Sequence, residues 1–191
     1  MKLDRILPFA RILLEKAVHR GDITIDCTMG NGFDTVFLAG LTGESGHVYS
    51  FDIQKEAIQT TAAKLKAENL QECCTLIHDG HQHLNKYIRK EHSEKVTGAI
   101  FNLGYLPGGD KSVITQADTT ISAIEQLFEL LAPEGLIIIV IYHGHPGGSA
   151  ERDALMDYVQ NFPQQKAHIL KYGFINQSNN PPFIVAIEKR R

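Results

Sequence analysis

The sequence predicts an α/β chain: a doubly wound, seven-stranded, mostly parallel sheet that ends in an antiparallel hairpin strand. Short β-branched runs alternate with segments whose apolar residues recur at i, i+3 and i+4, the pattern of strands flanked by helices. Only Gly173 to Pro182 separates the last two runs, too little chain for a right-handed crossover, so they pair antiparallel. No internal repeat and no Pro/Ser/Gly-rich linker divides the chain, so residues 1–191 read as one domain.

The expected elements alternate along the chain. A helix over Leu3–His19, closed by Gly21, precedes a strand over Ile23–Cys27. A helix over Phe33–Leu41 leads to a strand over His47–Asp52, and a helix over Lys55–Glu68, ended by Asn69, leads to a strand over Cys74–His78. His81–Lys90 reads as a fourth helix before the strand Val96–Phe101. Thr115–Leu131 is the fifth helix, stopped by Pro133-Glu134-Gly135 ahead of the strand Leu136–Tyr142. Ala150–Asn161 is the last helix, and Ala167–Tyr172 and Phe183–Glu188 form the hairpin.

Composition bounds the function. The chain has 191 residues, 43% of them apolar and 21% charged, enough to bury a layered core, which argues against disorder. The longest apolar run, Leu136 to Tyr142, is far short of the roughly 20 residues of a membrane span. Met1-Lys2-Leu3-Asp4-Arg5 lacks the apolar stretch of a signal peptide, so a cytoplasmic protein with no membrane partner is expected. Cys27, Cys73 and Cys74 have no Cys-x-x-Cys spacing and read as reduced thiols.

Chemistry gathers where strands end. Asp26-x-Thr28-x-Gly30-Asn31-Gly32 follows the first strand and opens a helix, so backbone amides can approach a ligand closely. The third glycine of a dinucleotide fingerprint is replaced by Thr35, and Asp26 would crowd a pyrophosphate. An acid beside the turn suits a cationic ligand instead, and S-adenosylmethionine carries an ammonium and a sulfonium. Asp52 falls about 20 residues beyond the turn, where a carboxylate accepts ribose hydroxyls; Ile53 and Gln54 follow it. Asp34 completes the motif on the opening helix. After the third strand, Asp79-Gly80-His81 has two readings, an adenine contact or a local cap.

The fourth strand delivers Asn102-Leu103-Gly104-Tyr105, an Asn-x-x-Tyr pattern. The carboxamide of Asn102 can accept hydrogen bonds from an amine, and the ring of Tyr105 can stack on a base. Gly108-Gly109-Asp110-Lys111 reads as a loop suited to covering a site. Tyr142-His143-Gly144-His145-Pro146-Gly147 puts two imidazoles at the same edge, readable as proton acceptors or as polar loop residues. His78, His81, His83, His143 and His145 lack the spacing of a structural zinc site, so no metal is expected. Asn180-Pro181-Pro182-Phe183 matches an amino-methyltransferase tetrapeptide more literally than residues 102–105, but it precedes the last strand and reads as a stiff loop bordering a substrate pocket.

Asp26-x-Thr28-x-Gly30-x-Gly32-x-Asp34-Thr35, Asn102-Leu103-Gly104-Tyr105-Leu106-Pro107-x-Gly109-Asp110 and His145-Pro146-Gly147 together resemble the bacterial rRNA methylase-like family of class I, Rossmann-like, S-adenosylmethionine-dependent methyltransferases. The resemblance covers essentially the whole chain. For members this similar it implies N-methylation of 5-aminomethyl-2-thiouridine at the tRNA wobble position, giving 5-methylaminomethyl-2-thiouridine, with the anticodon loop as partner and a homodimer as assembly. Methylation of an rRNA base or a small amine is the nearest alternative, and a non-catalytic cofactor-binding module is a third reading. In this reading Asn102, Tyr105, His143 and His145 carry the chemistry. Arg5, Arg11, Tyr105, Tyr142 and Asn180 touch substrate.

Net charge is −3, which leaves RNA binding to local patches. Lys2, Arg5, Arg11, Lys16 and Arg20 near the start, and Lys189-Arg190-Arg191, are the two candidates.

Overall fold

The computed structural model describes residues 2–106, 108 and 114–191. Gly109, Asp110 and Lys111, central to the expected covering loop, lie outside the described residues, as does Pro107. The chain forms α1 (Ile6–Ala17), β1 (Ile23–Asp26), α2 (Phe33–Thr42), β2 (His47–Asp52), α3 (Lys55–Ala67), β3 (Cys74–His78), β4 (Val96–Leu103), α4 (Ala117–Leu130), β5 (Leu131–Ile141), α5 (Gly148–Gln160), β6 (Ala167–Tyr172) and β7 (Phe183–Lys189). Strand order across the sheet is β3-β2-β1-β4-β5-β7-β6. β7 runs antiparallel to both of its neighbours, β5 and β6, while the other pairings are parallel.

A sheet covered on both faces explains the unbroken β-branched run of β5, Ile137 to Ile141. Ile137, Ile139 and Ile141 join the cluster beneath α4 and α5, whereas Ile138 and Val140 join the cluster beneath α1, α2 and α3. Alternate residues therefore bury on opposite sides. The same alternation runs through β4, where Phe101 and Leu103 face α4 and Ile100 faces α1. Gly98 permits α1 to lie close, since a Cβ there would meet Val18 Cγ2 at 2.6 Å and Leu14 Cδ2 at 3.2 Å. Asn102, two residues beyond Ile100, thus emerges on the α1 and α2 side of the sheet's carboxyl edge.

Two expected elements differ. His81–Lys90 forms no α-helix; a 3₁₀ segment covers His81–Lys86 and another Lys90–His92. Tertiary bonds take the groups an α-helical ladder would use: Gln126 Nε2 donates to the Gln82 carbonyl at 2.7 Å, and the Asn85 amide donates to Gln126 Oε1 at 3.2 Å. β5 begins at Leu131 rather than Leu136, through an irregular entry in which its register against β4 shifts and Glu134 takes φ 66°. Among the described residues, no helix is long and apolar enough to cross a membrane.

Candidate active site

Asp26 ends β1 fully buried and accepts from the Thr28 amide at 3.1 Å and the Thr35 hydroxyl at 2.7 Å. It ties the glycine turn to the first turn of α2. Burial, reinforced by Asp34, pushes its carboxyl up to about 7. Gly30 and Gly32 take φ 50° and 77°, and a Cβ on Gly32 would stand 2.5 Å from Thr61 Oγ1 of α3. Glycine is therefore required by conformation and by close approach.

Asp52 ends β2 with each oxygen held by a backbone amide, Oδ2 by Gly30 and Oδ1 by Gln54, both at 2.9 Å. Neighbouring Ile53 presents an exposed apolar side chain. Asp79 accepts from the Gly80 amide, from His83 Nδ1 at 2.9 Å and from the Tyr87 hydroxyl at 2.8 Å. Chiefly the His83 and Tyr87 bonds push its carboxyl down to about 2.

His81 is buried, and its Nδ1–H donates to the Cys27 carbonyl at 3.0 Å. That bond fixes the tautomer and leaves Nε2 an acceptor, buried and without a partner among the described residues. An orphaned buried acceptor, a glycine turn and an amide-held acid together suit a polar ligand that carries hydrogen-bond donors.

Asn102 is fixed twice. Its amide donates to Thr28 Oγ1 at 2.7 Å, and its Nδ2 donates to Asp34 Oδ2 at 2.7 Å. A carboxylate only accepts, so the amide NH₂ must face Asp34 and Oδ1 must point away. Arg11 Nη2 of α1 in turn bonds Asp34 Oδ1 at 3.3 Å, and its guanidinium lies 4.8 Å from the Phe37 ring centroid.

The next turn is clamped by residues the sequence reading missed. Gly104 donates its amide to Thr115 Oγ1 at 3.0 Å, and the Thr115 hydroxyl donates to Glu151 Oε2 at 3.0 Å. Glu151 is 6% exposed, and burial raises its carboxyl above the usual range. An acid in the first turn of α5 reads from sequence as a helix-dipole partner; only its burial marks it.

His145 meets the Tyr105 ring edge-on at 5.9 Å, and its Nε2 lies 3.7 Å from where a Gly104 Cβ would be. Its Nδ1–H donates to the Pro146 carbonyl, leaving Nε2 an acceptor with no partner among the described residues. His143 packs against Phe183 instead. Tyr142 is part-exposed beside Gly104, and Asp34 is close enough to help raise its hydroxyl pKa, after burial.

The structure thus gathers Asp26, Thr28, Gly30, Gly32, Asp34, Asp52, Asn102, Tyr105, Tyr142 and His145 at one edge, with Asn31 in the turn itself. Asn180 lies behind them, its carbonyl 3.8 Å from a Cβ placed on Gly144. Arg5 is exposed at the start of α1. Lys189-Arg190-Arg191 sits at the opposite edge, where the three side chains bond the Phe128 and Leu131 carbonyls, the Gln164 carbonyl and Glu134. That patch is remote from the turn. No group of three or more His, Cys, Asp or Glu among the described residues is arranged to hold a metal ion.

A seventh strand inserted antiparallel beside β5 departs from the 3-2-1-4-5-6 order of dinucleotide binders. With an acid at the turn where a pyrophosphate would sit, it defines a class I methyltransferase. The family model described as "Putative rRNA methylase" matches residues 48–188. A chloroplastic tRNA (mnm(5)s(2)U34)-methyltransferase of Arabidopsis thaliana is 34% identical over 188 residues, 94% of this chain and 68% of its own length. A "putative rRNA-methylase" from Clostridium thermocellum superposes with TM-score 0.95 at 42% identity, covering 99% of this chain and 100% of that one. A "putative methyltransferase" from Streptococcus mutans, solved in complex with SAH, superposes with TM-score 0.88 at 41% identity, covering 98% of this chain and 99% of that one. The chain belongs to the rRNA methylase family, and it is an S-adenosylmethionine-dependent methyltransferase.

Proposed function

We propose that the chain methylates the primary amine of 5-aminomethyl-2-thiouridine at the wobble position of tRNA. The observation that carries this reading is the fixed carboxamide of Asn102. One N–H of its NH₂ donates to Asp34, which turns Oδ1 the other way, free to accept from a hydrogen-bond donor beside the glycine turn. An amine is such a donor, and the activity for which the Arabidopsis relative is named supports the particular amine.

Asp26, Thr28, Gly30, Asn31, Gly32 and Asp34 surround the turn that would hold S-adenosylmethionine, with Asp52, Ile53, Gln54, Asp79, Gly80 and His81 on the neighbouring strand ends. When bound, that cofactor supplies an electrophilic methyl group. The protein's task is to present a neutral amine, because a lysine-like amine, with a pKa of about 10.4, is mostly protonated at neutral pH. Asn102 Oδ1 orients the amine through one N–H. His145 Nε2, a lone pair beside Gly104 and Tyr105, takes the surplus proton, with His143 the second candidate. Tyr105 and Tyr142 flank the opening with part-exposed rings on which the thiouridine base stacks. Positioning, rather than a covalent intermediate, is what these residues provide. A homodimer is the proposed assembly, checked by light scattering on the purified protein.

The family description favours rRNA as the rival substrate. Nucleoside analysis by mass spectrometry, on tRNA from a strain lacking the gene and from its parent, separates the two. Accumulation of 5-aminomethyl-2-thiouridine and loss of its methylated form support the tRNA reading. Unchanged tRNA nucleosides refute it.

A further inference from the structure

Among the described residues, two cavities that lie outside the glycine turn differ in charge. One of about 480 Å³, between α4 and α5, is lined by Glu125, Glu129 and Asp157 against a single cation, Lys166, and would repel a polyanion. The other, of about 840 Å³, is bounded by the start of α5, the end of β6 and the loop that leads into β7. Its lining includes Arg152, Lys171, His143, Phe174, Asn179 and Asn180, and no Asp or Glu among the described residues. Its size is that of a pocket for one organic ligand, about 300–1,000 Å³.

Position ties this cavity to the transfer site. The 142–148 loop forms the wall between them: Gly144 packs against the backbone carbonyls of Asn179 and Asn180, while Tyr142 and His145 on the same loop pack against Gly104. Both openings lie at the carboxyl edge of the parallel strands. Lys171 Nζ stands 4.6 Å from the Phe183 ring centroid, and Arg152 bonds Asp153, an acid that is 69% exposed and points out to water. A phosphate can therefore replace Asp153 as the partner of Arg152 with little desolvation to undo. His143 is held below its usual pKa first by burial and then by Arg152 and Lys171, so both cations act on the shared wall. Ile175, fully exposed, and Phe174 add apolar surface, and the Asn179 and Asn180 amides add hydrogen-bonding groups for base edges.

We propose that this cavity binds the single-stranded nucleotide adjacent to the one being methylated, with Arg152 and Lys171 on its phosphodiester and the 173–182 loop against its base. This rests on the RNA-methylating function proposed above. It assigns RNA contact to a surface remote from Lys189-Arg190-Arg191.

The test is fluorescence anisotropy with a labelled anticodon stem–loop RNA at several salt concentrations, on the full chain. Arg152→Gln with Lys171→Gln should raise the Kd about 10- to 100-fold and lower the salt slope by about 1–2, leaving S-adenosylhomocysteine affinity and Tm unchanged. The charge-matched control, Lys66→Gln with Lys95→Gln, two exposed lysines outside both basic patches, should bind as the parent does. Equal weakening of both doubles, or an unchanged Kd and slope in the first, overturns the proposal. If the first double fails to fold, Ser178→Glu on the exposed loop replaces it, with weakened binding expected and unchanged binding overturning the assignment. A parent protein that neither binds nor methylates the RNA overturns the functional reading itself.

Discussion

Replacing Asp34 by alanine removes the group that orients Asn102. The bond is charge-assisted, 2.7 Å long and only 16% exposed at the acid, so solvent screens it little. Such a bond contributes about 1.5–3 kcal/mol. If the amide must be oriented before an amine can bind productively, kcat falls about 10- to 150-fold. Asp34→Asn keeps one carbonyl oxygen for Asn102 Nδ2 but loses the charge and the oxygen that accepts from Arg11, so its deficit should still be several-fold smaller than alanine's. Arg11→Gln, which removes a 3.3 Å partner with 42% of its side chain exposed, should cost least, within about 1 kcal/mol. The assay is initial-rate methyl transfer to RNA bearing the aminomethyl uridine, with kcat and KM separated, beside S-adenosylhomocysteine binding by calorimetry. Orientation predicts lost kcat at near-parental cofactor affinity. Weakened cofactor binding with intact kcat would make Asp34 a cofactor ligand, as the sequence alone suggests, and refute the orientation argument.

Asp26 should make the fold lose stability as pH rises. Its folded pKa, about 7, lies above the usual 3.8, so its favourable contribution is complete below about pH 4 and lost on passing through pH 7, up to about 4 kcal/mol in all. Asp26→Asn should flatten that dependence in urea titrations at pH 5 and 8, and parallel curves for the two proteins would contradict the assignment. Gly32→Ala combines left-handed strain with a clash against Thr61 and should cost about 2–5 kcal/mol. Thr61→Ala in the same chain should restore the packing part alone, which a double-mutant cycle in denaturant measures. Glu151→Ala strands the Thr115 hydroxyl, with an expected loss of about 1–3 kcal/mol, whereas Glu151→Gln retains the acceptor and should melt near the parent.

The strands were legible because both-face burial leaves a mark in composition: β5 reads as six apolar residues in sequence, Leu136 to Ile141. The glycine turn and Asn102 were legible because each follows a strand at the edge where such sheets bind ligands. Failure came where distant residues set the outcome. His81–Lys90 has helical spacing, yet Gln126 and the Cys27 carbonyl, far away in sequence, claim its polar groups. Glu151 and Thr115 are ordinary in composition, and their importance arises from burial against Gly104. Asp34 reads as part of a cofactor motif, and nothing in its composition announces that its oxygens also accept from Asn102 and Arg11. A one-dimensional pattern records what each residue prefers, not which neighbour reaches it first.

Threading β7 between β5 and β6 imposes an order on synthesis. Among the described residues β6 pairs with β7 alone, so residues 167–172 leave the ribosome before their native partner, residues 183–189, exists. Meanwhile β5 presents a bare apolar edge, an invitation to mispairing. The first helix is also secured late, since Phe9 stacks on Tyr172 at 3.9 Å and the Tyr172 hydroxyl donates to the Asp4 carbonyl. Arg11 rides on that helix toward Asp34. A nascent chain therefore carries the glycine turn long before it can lock the full Arg11–Asp34–Asn102 array, and complete assembly of the site waits for the final strand.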